Sequence, residues 1–123
     1  MKKDPLVFVE HMLESMQMIE EYVGRTTREQ FMSSRLTQDA VIRRIEIIGE
    51  AAKNVPEDVK KSYPSIPWKR IAGMRDILIH GYFGVDLGLT WKVASEELGE
   101  LKSKIMKVKK NLEDIRKGSK AKN

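Results

Sequence analysis

From Leu87 to Ile115 the residues Leu87, Trp91, Ala94, Leu98, Leu101, Ile105, Val108, Leu112 and Ile115 follow one another at alternating steps of four and three. A 3.5-residue repeat sustained over that length specifies a long helix lying nearly parallel or antiparallel to its partners. Ala94 is its one small member, a place where a neighbour can come close. No stretch of the chain shows the period-two alternation of a half-buried strand. The repeat therefore predicts an all-α, mostly antiparallel up-and-down helical bundle, with four main helices and several short ones.

The remaining helices are marked by their ends as well as their faces. Asp4 can cap free amides, and Pro5 sits where a helix sacrifices no hydrogen bond. Leu6, Val9, Leu13, Met16, Ile19 and Val23 then form one stripe on a helix ending near Gly24. Met12, Met16 and Met18 read as adaptable packing, and His11 falls off the stripe as a surface histidine. Thr27 caps a short helix through Phe31 and Met32. A long helix from Leu36 or Thr37 to Asn54 carries Val41, Ile45, Ile48 and Ala52, leading into Val55, with Ile42 and Ile47 widening its apolar face. Gly49, Ala51 and Ala52 would admit a neighbouring backbone. Glu46 and Glu50 lie one turn apart, and Arg43 and Lys53 are near enough in sequence to neutralise them. Pro56 starts a short helix, Pro67 starts another that runs through Trp68 toward residue 80, and Asp86 caps the last one after the turn Gly84-Val85-Asp86. The surplus of apolar faces suggests a homodimer.

The chain is expected to form a single domain over residues 1–116, followed by a basic, flexible tail at 117–123. Charge separates the two ends. Residues 101–123 hold nine Lys and Arg against Glu113 and Asp114, a net +7, whereas residues 1–100 hold 14 basic and 16 acidic side chains, a net −2. The C-terminal end would attract a polyanion without sequence preference, or serve only as a solvated, solubilising surface. The absence of cysteine excludes disulfides and thiolate metal sites. No signal peptide or uncharged apolar segment of membrane-spanning length is seen, so a soluble, cytoplasmic protein is expected.

One segment carries chemistry. Met74-Arg75-Asp76-Ile77-Leu78-Ile79-His80-Gly81-Tyr82-Phe83 places a guanidinium, a carboxylate, an imidazole and a phenol together, using one of only two histidines. Arg binds phosphate through a planar, permanently charged fork, and His exchanges protons near neutral pH. With RNA the 2′-hydroxyl is the nucleophile, so neither metal nor protein nucleophile is required, and no cofactor is expected; Arg75 would stabilise charge at phosphorus while His80 moves the proton. On a continuous helix Asp76 and His80, four apart, share a face, so Asp76 can orient the imidazole. Arg75 and His80, five apart, are separated by about 140°, so they meet only if the helix distorts near Gly81 or a second protomer contributes. The same residues also read as a salt-bridged helix start followed by a satisfied polar helix end.

The pattern Arg75-x4-His80-x-Tyr82 resembles the R-x4-H-x-Y motif of the HEPN superfamily. Three longer words resemble its HepT-like toxin branch: Ala40 to Ala52 (AVIRRIEIIGEAA), Ile66-Pro67-Trp68, and Gly73 to Asp86 (GMRDILIHGYFGVD). The resemblance spans about residues 4–116. It implies a metal-independent endoribonuclease toxin that works as a homodimer, with its cleft at the protomer interface and Arg75 and His80 as catalytic residues. It also implies a partner, a MntA-like minimal nucleotidyltransferase antitoxin that transfers AMP onto Tyr82. Asp76 stands where the family often has asparagine, and Gly81 where it admits bulkier residues. The alternative is a non-catalytic helical nucleotide-binding or interaction subunit of a nucleotidyltransferase.

Overall fold

The computed structural model describes residues 4–79 and 84–121. It contains α1 (Pro5–Val23), α2 (Arg28–Ser33), α3 (Arg35–Asn54), α4 (Glu57–Ser62), α5 (Trp68–Ala72), α6 (Met74–Leu78), α7 (Leu87–Lys92), a π-helical segment (Val93–Glu97) and α8 (Leu98–Ala121). Among the described residues there is no strand, only an isolated antiparallel bridge between Ile79 and Val85. The expected all-α bundle is the observed one.

Local chemistry sets most of the boundaries. Asp4 accepts from the Leu6 amide at 2.9 Å with Pro5 opening α1. Thr27 and Gln30 form a reciprocal capping box on α2. Ser34 accepts from the Thr37 amide at 3.2 Å, and Asp86 from the Leu89 amide at 3.0 Å. Each cap satisfies an amide that a helix start leaves without a partner.

α1 and α8 run antiparallel, as two ion pairs show: Asp4 meets Arg116 at 3.4 Å near one end, and Glu20 meets Lys102 at 3.0 Å near the other. The core between α1, α3 and α8 is filled by Val9, Met12, Met16, Ile19, Val41, Ile45, Ile48, Ile105 and Val108. Met12, not Leu13, completes the α1 stripe; Met12 is fully buried and Leu13 is only half-buried. A helix wedged between two neighbours buries a wider arc than one stripe, and the unbranched thioether fits the irregular gap.

Two expectations about the long helices are corrected. The repeat over 87–115 is not one regular helix, because Val93–Glu97 is π-wound. The Ser95 hydroxyl donates to the Trp91 carbonyl at 2.7 Å, competing with the ordinary amide donor in the turn where the ladder reaches back one residue further. The wider turn buries both Val93 and Ala94, while Ile115 at the far end is exposed. The fourth main helix, expected from Pro67 toward residue 80, is instead two short ones, α5 and α6, broken at Gly73. α8 carries the backbone helix past residue 116 to Ala121.

Gly49 explains where α5 sits. A side-chain carbon on Gly49 would lie 3.1 Å from the Ala72 carbonyl oxygen and 3.3 Å from that of Ile71. The end of α5 therefore rests against the α3 backbone, as the small residues of α3 suggested. That contact fixes the start of α6, which carries Arg75.

Candidate functional site

Arg75 lies in the first turn of α6, and its side chain crosses to α3. Nε donates to Glu46 Oε2 at 2.8 Å. Nη1 lies 3.5 Å from Asp76 Oδ1. Half of the Arg75 side chain is open to solvent, against 32% of Glu46 and 78% of Asp76. The hydrogen bond that Arg75 donates to Glu46, then the charge of that carboxylate, raises the guanidinium pKa still further above its ordinary value, so Arg75 stays cationic at every working pH.

Sequence spacing misassigned Glu46. Among the described residues it forms no ion pair with Arg43 or Lys53; its partner is Arg75, 29 positions away. The available signal was its setting. Glu46 is partly buried on an α3 face flanked by buried Ile45 and half-buried Ile47, a setting that favours a cation supplied by a neighbouring element. Glu46 also lines a shallow depression with His11, Arg43 and Glu50. His11 is therefore exposed, as expected, but it faces α3 beside the Arg75 anchor. Among the described residues no group of three or more carboxylates and histidines is gathered as a cation site requires.

The geometry beyond Arg75 differs from a continuous helix. α6 ends at Leu78, and Ile79 is extended, with φ −109° and ψ 118°. The break thus comes before Gly81, where distortion was expected. The chain is clasped on both sides of residues 80–83: Ile79 bridges Val85, and the Asp86 amide donates to the Leu78 carbonyl at 2.8 Å. Gly84, with φ 86°, takes the left-handed backbone conformation at the return. His80 and Tyr82, expected as proton carrier and AMP acceptor, lie outside the described residues. The helical four-residue register expected to join Asp76 to His80 stops at Leu78, as does the 140° separation of Arg75 and His80. Apolar surface flanks the clasp, with Ile77 44% and Val85 37% exposed.

Residues 12–108 match the family described as "Ribonuclease HepT-like". A protein of Methanocaldococcus jannaschii named "Gamma-glutamylcyclotransferase and putative RNase" is 52% identical over 113 residues, covering 92% of this chain and 51% of that protein. The chain thus spans about half the length of that curated relative. A "Probable ribonuclease HepT" of Thermococcus cleftensis is 46% identical over 110 residues, covering 89% of this chain and 100% of that protein. No solved structure gave a significant match.

Proposed function

From the premise that the chain belongs to the ribonuclease HepT-like family, we propose that it is a metal-independent endoribonuclease toxin, acting as a cytoplasmic homodimer on RNA. The observation that carries this reading is the anchored guanidinium: Arg75 is fixed through Nε by Glu46 yet half open to solvent, the disposition of an arginine presented to a phosphate.

In the proposed reaction the RNA 2′-hydroxyl oxygen attacks the adjacent phosphorus and the 5′-oxygen of the next nucleotide leaves. The products are a 2′,3′-cyclic phosphate and a 5′-hydroxyl. One proton leaves the 2′-hydroxyl and one reaches the departing oxygen, and His80 is the group assigned to this transfer. Arg75 compensates the charge that builds on the non-bridging oxygens. Asp76 supports Arg75 from its own helix and is assigned the orienting of His80. Ile77 and Val85 supply apolar surface beside the site, which supports a protomer interface there.

The proposed control is a nucleotidyltransferase antitoxin that transfers AMP to Tyr82, placing bulk and phosphate charge where RNA must bind. Residues 1–116 are assigned to the domain and 117–123 to a basic tail. The test is cleavage of RNA by the purified protein in the presence of EDTA, scored for cyclic phosphate ends. His80→Ala should abolish cleavage while leaving the circular dichroism spectrum unchanged. Equal cleavage by both proteins removes His80 from the reaction, and tight ATP binding without RNA cleavage supports the non-catalytic subunit instead.

A further inference from the structure

The charge imbalance of the sequence points to α8, but a second basic surface lies in the part of the chain whose net charge is negative. A groove between α3, α4 and α5 is lined by Lys53, Lys60, Lys61, Lys69 and Arg70 against one acid, Glu57. Two of the five cations are partly committed. Arg70 donates to both oxygens of Glu97 at 3.0 and 3.1 Å, and Lys60 lies 3.6 Å from Glu57. Lys53, Lys61 and Lys69 are exposed and form no ion pair among the described residues. Three like charges around one groove repel each other unless an anion lies between them, and residues 1–100 as a whole carry a net −2.

We propose that this groove is a track for the phosphates of single-stranded RNA flanking the scissile bond, so the inference rests on the nuclease reading above. Its position supports continuity with the Arg75 site. α3 underlies both: Glu46 anchors Arg75, and Lys53 lies seven residues further along the same helix, about 10 Å away at 1.5 Å per residue. α5 spans the interval, resting on Gly49 and leading directly into α6. The chemistry fits a backbone and not a base. Trp68 in the groove is 7% exposed and its indole N–H donates to the Tyr63 carbonyl at 3.2 Å, so it offers no stacking face. The flexible ammonium groups act as point charges, suited to sequence-tolerant phosphate binding.

The experiment measures binding of a long RNA made non-cleavable by 2′-O-methylation, as a function of salt, with cleavage of unmodified RNA followed in parallel. Exchanging Lys53, Lys61 and Lys69 together for Ala should flatten the slope of log K against log salt by about 2, at about 0.7 for each phosphate that is no longer neutralised. The corresponding triple exchange to Arg should restore the wild-type slope, which separates charge from damage to the fold. Cleavage of a dinucleotide, too short to reach the groove, should be unaffected by either set. A slope unchanged in the Ala variant, or one that changes only when Lys107, Lys109 and Lys110 of α8 are exchanged, overturns the proposal and leaves the nuclease reading intact. If the wild type cuts no RNA while the slope still depends on the three lysines, the nuclease reading fails and the groove stands as an RNA-binding surface.

Discussion

Glu46 and Arg75, separated by 29 positions in the chain, meet through a 2.8 Å hydrogen bond from Nε to Oε2 that ties α6 to α3. An arginine has five N–H donors in one plane, and occupying Nε fixes the plane; Nη1 lies beside Asp76, and Nη2, paired with no carboxylate among the described residues, is left to face a ligand. Glu46 is thus a positioning residue for the proposed reaction. Glu46→Ala should lower kcat/KM for RNA roughly tenfold, the size expected for losing a charge-assisted hydrogen bond. Glu46→Gln retains an acceptor oxygen and should recover much of that loss. The melting temperature should hardly move, because exposed ion pairs contribute about 0–1 kcal/mol. Equal activity in all three proteins would reduce the pair to a surface bridge.

Arg75→Lys tests the fork separately from the charge. A lysine cannot hold Glu46 through one nitrogen and present others in the same plane, so it keeps the cation and loses the geometry. Cleavage should fall by about tenfold or more, while the salt dependence of RNA binding stays close to wild type. Wild-type rates in Arg75→Lys would mean that positive charge alone suffices at this position.

Helix starts were legible in the sequence because a cap is local chemistry, decided within three or four residues at Asp4, Thr27 and Asp86. Relations between elements were less so. Met12 and Leu13 are both apolar, and only the positions of α3 and α8 decide which is enclosed. Glu46 had two cations nearby in sequence and paired with a third that the fold delivers. The heptad spacing through Val93–Glu97 held no warning of a π turn, since spacing records which residues are apolar and not which carbonyl a serine occupies. The longer words around Arg75-x4-His80-x-Tyr82, more than the short motif itself, carried the family resemblance, but helical geometry was the wrong ruler for the motif: α6 stops at Leu78.

Gly49 is where packing and site meet. Alanine in a helix interior is favoured over glycine by about 1 kcal/mol, yet here its Cβ would press on two α5 backbone carbonyls. Valine adds two further carbons and has no room without displacing α5. Gly49→Val should destabilise the fold by about 1–3 kcal/mol, the usual cost of overpacking. It should also reduce RNA cleavage more than the unfolded fraction explains, because α5 sets the position of α6. Chemical denaturation and cleavage at a temperature where the variant stays folded measure the two effects apart. An unchanged denaturation midpoint would show that α5 yields freely.

Asp86 holds the exit from the motif. Its amide donates to the Leu78 carbonyl at 2.8 Å, its carboxylate caps α7 through the Leu89 amide, and its carbonyl accepts from the Thr90 hydroxyl at 2.7 Å. Only the carboxylate interaction depends on the side chain. Asp86→Asn preserves an acceptor, and asparagine caps about as well as aspartate, so stability should be nearly unchanged. Asp86→Ala should cost about 1 kcal/mol, and by loosening the start of α7 it should weaken the clasp of Leu78 and Ile79 against Asp86 and Val85. Amide hydrogen exchange gives the decisive readout: the Asp86 amide should exchange faster in the Ala variant and at the wild-type rate in the Asn variant. Unchanged exchange in both would mean that the Ile79–Val85 bridge holds the segment without help from the cap.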